Sequence, residues 1–462
     1  MGVNTGLVKS TDITNAATSV SGESTPDQRR LYDFSDRVAE LSPDESPFFV
    51  YLSKMSKSPT TDPVFRFLEN RSKIDWTTRS FELKGNVNGG SAVTAGTQYA
   101  FTVDDSSSGS AADVNWLQKG MVFAVQVLDS TAGVAYATVR IDSTVVDAGT
   151  SNTFTGRVIS LPSSDFSTGY NILSDNDKCQ IIGTSFGEGT GSPDAWAKTM
   201  DDDYGYTQIF KTSAEMSNTA IATKYRGYAD EWSRIWNLKL REHKVDIERA
   251  MLFGQRARQD SIQYTEGIVG HCVLNGAPSA ADAALSYTPG AAYQRTVAEG
   301  EFTYDRILGD LEVLYDPARG GSSAKLALAG LPVMTLFNKF GAGGILKETY
   351  DANNSIRYDV NKEYIEGSYG HKLLQVQTIH GDLNLVREPL FRGFSNSYMM
   401  IVDMGQVAYR PLVGNGVNRD THVITNVQSA DEDLRKDMVL TEAGLEISLP
   451  ETHMLYNFES IS

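Results

Sequence analysis

The chain is short of the features that usually announce a chemistry. Only two cysteines, Cys179 and Cys272, occur in 462 residues, and their separation gives neither a disulfide framework nor a metal-binding spacing. No stretch approaches the roughly 18 consecutive apolar residues that a membrane span needs, and no charged-then-apolar leader opens the chain. Gly6 stands where a myristoylation signal wants Ser or Thr. Synthesis in a reducing cytoplasm, without a membrane partner, is the expectation. Blocks of Lys and Arg are also missing: 41 basic residues face 58 acidic ones, for a formal charge of −17, which excludes the basic footprint of a sequence-specific nucleic-acid binder. Neither a G-x-x-x-x-G-K-[ST] phosphate loop nor a G-x-G-x-x-G fingerprint appears, and no pair among the six histidines has the H-E-x-x-H spacing. No catalytic, cofactor or metal site is expected on these grounds.

What the chain does contain is a sequence of contrasting textures. Residues 1 to 28 are rich in Ser, Thr, Asn and Gly and read as an extended arm. Ser42-Pro43-Asp44-Glu45 then signals a turn or helix start, and Phe48, Phe49, Tyr51 and Leu52 form an apolar cluster suited to anchoring that arm. Residues 64–69 and 74–83 alternate polar and apolar, which predicts two strands with Trp76 on one face. From about 84 to 190 the composition turns to Gly, Ser, Thr, Asp and Val. Short strands are expected there at 121–128, 134–146, 154–161 and 177–183, making a small all-β insert.

A helix follows, predicted from about 220 to 259 and on the order of 50 Å long at 1.5 Å per residue. Ala229, Trp232, Trp236, Leu240, His243, Ile247, Ala250 and Gly254 recur along one face, and Asp230 with Arg234 and Lys244 with Glu248 are i,i+4 pairs for the wet side. His243 on that stripe reads as a packed, hydrogen-bonded histidine. Beyond a Gly/Pro/Ala-rich connection, a helix within 301–321, a buried strand at 324–330, a helix with a glycine stop at 331–344, and strands at 373–381, 398–412, 421–427 and 435–449 complete an α+β pattern.

Two stretches imitate chemistry. Gly183-Thr184-Ser185-Phe186-Gly187 matches the G-x-S-x-G nucleophile elbow, which would make Ser185 a serine hydrolase's nucleophile. The elbow needs a helix next, and Glu188-Gly189-Thr190-Gly191-Ser192-Pro193 is too rich in Gly and Pro to start one. DDDYGY (201–206) begins like a calcium loop but has Thr212 where the closing Glu belongs, and so reads as a solvated acidic turn.

Taken in order, ELSPDESPFF (40–49), KIDWTT (73–78), IIGTSFGEGTGSP (181–193), GYTQIFKTSAEMSNTA (205–220), LREHKVDIERAMLFGQ (240–255) and EGIVGH (266–271) resemble the major capsid proteins of tailed bacteriophages with the Hong Kong 97-type fold. The resemblance covers nearly the whole chain and rests on the order of the segments. It implies an N-terminal arm (1–60), an extended loop with limbs at 61–83 and 190–210, a β-rich insertion (84–189), a peripheral domain with the spine helix (211–299), an axial domain (300–395) and returning peripheral strands (396–462). Trp232, Trp236, His243 and Ile247 would then pack the spine helix, and Arg66, Trp76, Glu82, Gly189 and Gly191 would belong to the extended loop.

That resemblance implies self-assembly into hexamers and pentamers of an icosahedral or prolate head enclosing double-stranded DNA, located in the virion, with no enzymatic activity and no cofactor. Decoration and scaffolding proteins are the implied further partners. The short arm implies a separate scaffold or none, no crosslinking residues carry over, and the size of the insert favours a viral shell over an encapsulin. Two other readings stay open at this stage: a carbohydrate- or protein-binding β-module on a structural virion protein, and the hydrolase built on Ser185.

Overall fold

The computed structural model describes residues 47–55, 57–70, 80–104, 116–129, 133–147, 152–162, 170–193, 195, 199–225, 230–279, 285, 290–298, 303–316, 321–337, 364–366 and 372–459. Trp76, His371, residues 1–46 of the arm and the glycine stop at 341–344 lie outside these residues. The first described element is helix α1 (Pro47–Met55), whose Phe48, Tyr51 and Leu52 are buried at i, i+3 and i+4. Strand β1 (Val64–Glu69) follows, and then β2 (Ser80–Leu83).

Strands β3 (Gln98–Asp104), β4 (Met121–Asp129), β5 (Gly133–Ile141), β6 (Val146–Asp147), β7 (Asn152–Ser160) and β8 (Lys178–Thr184) join β2 in one antiparallel sheet. Its order is β3-β2-β8-β4-β5-β7-β6, and β3 also pairs with β7, which closes six of the strands into a barrel. Burial alternates along β7, so one face fills the inside. Phe81, Phe101, Phe123 and Phe154 meet there at ring separations of 5.2 to 5.9 Å. Gly156 is required because a Cβ would come within 2.9 Å of Phe101 and Val139. The barrel interior is side chain, not a ligand lumen.

Past the barrel the chain returns to β1. Strand β9 (Asp201–Tyr206) pairs antiparallel with it, Val64 opposite Tyr206 and Glu69 opposite Asp201, so the acidic DDDYGY segment is a strand of a two-stranded ribbon, a correction to the turn expected there. Pairing supplies the backbone partners that a solvated turn would have taken from water. Strand β10 (Gln208–Ser217) then leads into the short helix α2 (Asn218–Ala222) and helix α3 (Glu231–Phe253).

Helix α3 has 23 residues, about 35 Å at the standard rise. The single helix expected from 220 to 259 is therefore too long at both ends. Asp230 caps the N-terminus by accepting from Trp232 N, and Gly254 caps the other end. Residues 257 to 264 form a hairpin, β11 (Ala257–Gln259) and β12 (Ile262–Tyr264). The expected i,i+4 pairs are also replaced. Arg234 binds Glu231, Asp230 serves the cap, and Glu248 is buried away from the wet side.

Helix α4 (Ile268–Asn275) precedes β13 (Gly276–Ser279), β14 (Ala292–Ala298), helix α5 (Tyr304–Leu314), β15 (Ala324–Ala329), β16 (Tyr364–Glu366), β17 (Lys372–Gln377), β18 (Asp382–Arg387) and β19 (Tyr398–Val402). With β25 (Met454–Glu459) they build an eight-stranded mixed sheet, β13-β14-β25-β19-β15-β18-β17-β16. β15 shows why both faces are covered. Leu326 and Leu328 enter one core with α1, α3 and α4, while Ala327 and Ala329 enter another with α5. The expected strand at 398–412 is two strands, because β19 stays in this sheet and β20 (Val407–Pro411) joins a second one. That second sheet contains β10, β20, β23 (His422–Ile424) and the long β24 (Leu434–Ile447). Between β20 and β23 lies the small hairpin of β21 (Val413–Gly414) and β22 (Val417–Asn418). The returning C-terminal strands thus divide: β20, β23 and β24 share the sheet of β10, whereas β19 and β25 pair within the eight-stranded sheet.

Candidate interaction surfaces

The β1–β9 ribbon projects apolar and charged side chains from a firmly held base. Leu68 is 68 % exposed and Tyr204 39 %, and Arg66 meets Asp202 at 3.4 Å in the open. Such an exposed pair adds little stability, so Arg66 can exchange it for another surface at small cost. At the base Phe65 is buried against Gly205 and Gly444, where a Cβ on either would collide with its ring. Arg256 adds a clasp. Its guanidinium donates to Asp203 at 2.7 Å and to the Tyr204 carbonyl, lies 4.3 Å over the Tyr204 ring, and is 3.7 Å from Glu266. Glu69, buried at the other end of β1, accepts from Leu449 N at 2.7 Å, and Leu449 has the left-handed φ of 47° that leucine rarely adopts.

The residues expected on the spine are found together on α3. Trp232 and Trp236 stack at 6.3 Å with a 13° angle between their planes, and Arg435 lies 4.6 Å over Trp232. His243 is buried and bridges two strands, Nδ1 to Thr212 Oγ1 at 2.9 Å and Nε2 to Thr441 Oγ1 at 2.8 Å. Burial holds its pKa below the usual value despite Asp246. Ile247 is fully buried in the core shared with α1. This side is closed, and the outward side of α3 carries Leu238, 54 % exposed.

Where α3 hands over to α4, three glycines touch. A Cβ on Gly267 would lie 2.6 Å from Gly254 N, and one on Gly270 would overlap the Gly254 carbonyl oxygen. The two helices cross at backbone contact, which explains the glycines in MLFGQ and EGIVGH.

Of the residues expected in the extended loop, Arg66 is on the ribbon, Trp76 is outside the described residues, and Glu82 lies on β2 within the barrel sheet. Gly189 has φ 73° in an open turn in which Thr190 N donates to the Gly187 carbonyl. Gly191 has no left-handed backbone, and a Cβ added to it would meet nothing within 4 Å. Ser185 directly follows β8, its N–H donating to the Gly120 carbonyl at 2.9 Å, and an extended turn rather than a helix comes next. No elbow is formed there.

Sequence reasoning missed the buried ionic groups of the two body sheets. Lys325, wholly buried, donates to Asp403 at 3.1 Å and to the Thr452 carbonyl at 3.1 Å. Burial lowers the Lys325 pKa against the pull of Asp403. At Asp403 burial pushes upward, but Lys325 and the N–H groups of Ser322 and Gly405 carry the carboxyl below its usual range. His453, beside them, accepts from Asp403 N, and burial with Lys325 pushes its pKa down to about 3. Arg295 and Asp310 form a second buried pair at 2.8 Å, with Tyr456 donating to the same carboxyl. Only the pairing of β15 with β19 and of β14 with β25 brings these groups together, and no local spacing announces that. Among the described residues no cluster of three or more His, Cys, Asp or Glu is placed to hold a metal ion, and no helix is long and apolar enough to cross a membrane.

Comparison with known proteins gives one family match. The model of the SU10 major capsid protein family fits residues 10–458. Solved structures similar to this chain include one from Microbacterium phage Oxtober96, 8 % identical over 93 % of this chain and 96 % of that one with a TM-score of 0.41. Another is from Mycobacterium phage Patience, 15 % identical over 61 % and 80 % with a TM-score of 0.36. A third is the bacteriophage PhiM1 mature capsid, 11 % identical over 61 % and 80 % with a TM-score of 0.37. No curated protein matches.

Proposed function

The chain belongs to the SU10 major capsid protein family, and from that premise we propose that it is the shell subunit of a tailed-phage head with the Hong Kong 97-type arrangement. Copies associate as hexamers and pentamers around double-stranded DNA, in the virion, and catalysis has no part in the role. The match over residues 10–458 carries this reading.

Physical features of the subunit support it. A shell subunit must cover several neighbours, and outreaching elements supply contact area without a larger core. The β1–β9 ribbon is such an element, with Leu68, Met200 and Tyr204 exposed on or beside it. In the proposed layout the ribbon is the extended loop, α3 is the spine of the peripheral domain, and the eight-stranded sheet with α5 contains the axial domain. The net charge of −17 would let packaged DNA slide past the wall, since like charges oppose adhesion to phosphate. The barrel is the surface on which a decoration protein would sit.

The test is assembly. Expressed alone or with its neighbouring genes, the protein should give multi-megadalton particles in light scattering and hollow shells in negative-stain micrographs. A clean monomer that hydrolyses esters would overturn the reading. Deleting residues 84–189 and keeping shells would mark the barrel as peripheral to assembly.

A further inference from the structure

Helix α1 is the first described element of the chain, and besides its buried apolar face it meets two buried acids. Glu248, on α3, is 0 % exposed, and Glu388, just after β18, is 2 % exposed. Glu248 Oε1 accepts from Phe48 N at 2.8 Å, and its carboxyl also takes the Phe49 N–H, so it caps the N-terminus of α1. Glu388 Oε1 accepts from Leu390 N at 3.1 Å. The other oxygen of each, Oε2, is buried without a hydrogen-bond partner, and each carboxyl lies close enough to the other to shift its ionisation. Two ionised carboxylates with unpartnered oxygens are too costly to keep side by side in the core, so one carries a proton.

We propose that Glu248 and Glu388 share a proton and form a pH-operated latch, which holds α1 on the body while protonated and releases it when the proton is lost. The reaction is a single proton transfer from the paired carboxyls to solvent base. It leaves two anions facing each other in the core, and that repulsion is relieved when α1 lifts and water enters.

Among the described residues no counter-ion blunts this effect. On α1 the charged Lys54 is exposed in the last turn, and on the outer side of α3 Asp246 and Arg249 pair with each other. On α4 the nearest titratable groups are His271, bound to Glu266, and the neutral thiol of Cys272. Behind α1, β20 offers Tyr409, which donates to Asp420, and Arg410, which pairs with Glu446. Arg387 and Arg392 flank Glu388 but are exposed.

Burial first, and then the facing Glu388, push the Glu248 pKa up to about 9; burial pushes that of Glu388 up to about 7. The sign follows from linkage. Both pKa values lie above those of free carboxyls, so the latch is fully closed below the ordinary value of 4.5 and weakens as pH rises through the raised values.

Hydrogen exchange read by mass spectrometry on the Pro47–Met55 segment tests the latch, with protection corrected for intrinsic exchange rates. In the wild-type protein, opening should become easier by up to about tenfold per pH unit for each proton released, and then level off near the upper value. Glu388→Gln keeps a donor to Glu248 but leaves it a single buried acid, so its profile should lose one of the two proton steps and be shallower over the same interval. Glu248→Gln, which still accepts from Phe48 N, should be shallower too and serves if the first variant folds poorly. Infrared spectra of the wild type at neutral pH should contain the carbonyl band of a buried protonated acid, altered in position or intensity in either variant. A pH-independent wild type, equal pH slopes in wild type and variants, or no such band would each overturn the proposal.

Discussion

Between Ser80 and Thr184 the chain closes a barrel around four phenylalanines, whereas the eight-stranded sheet gathers strands from Gly276 to Glu459 and buries Arg295, Asp310, Lys325 and Asp403 on the way. The barrel's strands are near neighbours in sequence, its pairings are antiparallel, and closure leaves almost no free edge. The body pairs β14 with β25 and β15 with β18 in parallel, which needs long connections, and among the described residues its edge strands are β13 and β16. One region is complete by itself. The other joins distant segments through buried charges, glycine contacts and a shared proton, and it keeps edges and a ribbon with exposed side chains.

Substitutions can break that contrast or sharpen it. The largest effect is expected at the α3–α4 crossing: Gly270→Ala places a methyl on the Gly254 carbonyl oxygen and should cost about 4 kcal/mol or more, read as lost soluble protein or a collapsed urea midpoint. Nearly as large is Lys325→Met, which strands Asp403 in the core and should cost about 3 to 5 kcal/mol. The double variant Lys325→Met with Asp403→Leu should recover much of the loss in the same denaturation assay. Residues 80–184 expressed alone should fold, with dispersed amide spectra and a cooperative melt, and Phe123→Ala should cost that fragment about 3 to 5 kcal/mol. A fragment that stays unfolded would erase the distinction between the two regions.

Acid should separate them more gently. His453 binds its proton near pH 3 when folded and near 6.5 when unfolded, so the unfolded chain takes up the extra proton as pH falls below 6.5. The body should lose up to about 1.4 kcal/mol per pH unit from this group between those values. Melting curves of the whole protein and of the fragment would compare the two slopes. The smallest effects are at the end of the barrel. Gly189→Val forces a branched side chain into a left-handed turn and should cost about 1 to 2 kcal/mol, whereas Ser185→Ala should change stability by less than about 0.5 kcal/mol and leave particle formation intact.

Where structure follows from local pattern, it was readable. β4, β5, β7 and β8 follow from β-favouring runs between turn-rich loops, α1 from Phe48, Tyr51 and Leu52, and the packed face of α3 from Trp232, His243 and Ile247. Where a residue's surroundings come from elsewhere in the chain, the local reading misled. Glu248, four residues after Lys244, looks like half of a solvent-exposed pair, yet α1 and the loop after β18 bury it. Residues 257 to 264 continue a helical composition after Gly254 has already ended the helix, and they turn back as a hairpin. DDDYGY looks like a loop until β1, more than 130 residues earlier, pairs with it.

The amino-acid sequence alone determined the α+β class, an all-β insert and the apolar face of the spine helix, because each depends on composition or on a period of two or 3.6 residues. Partnership came only with the fold: which strands lie side by side, which glycines touch, and which acids must share a proton. Those depend on distances across the core between residues far apart in the chain. The Gly-Thr-Ser-Phe-Gly segment belongs to both accounts, since its composition already denied the helix a nucleophile needs, and its hydrogen bond to Gly120 gives Ser185 a place at the barrel's closing strand.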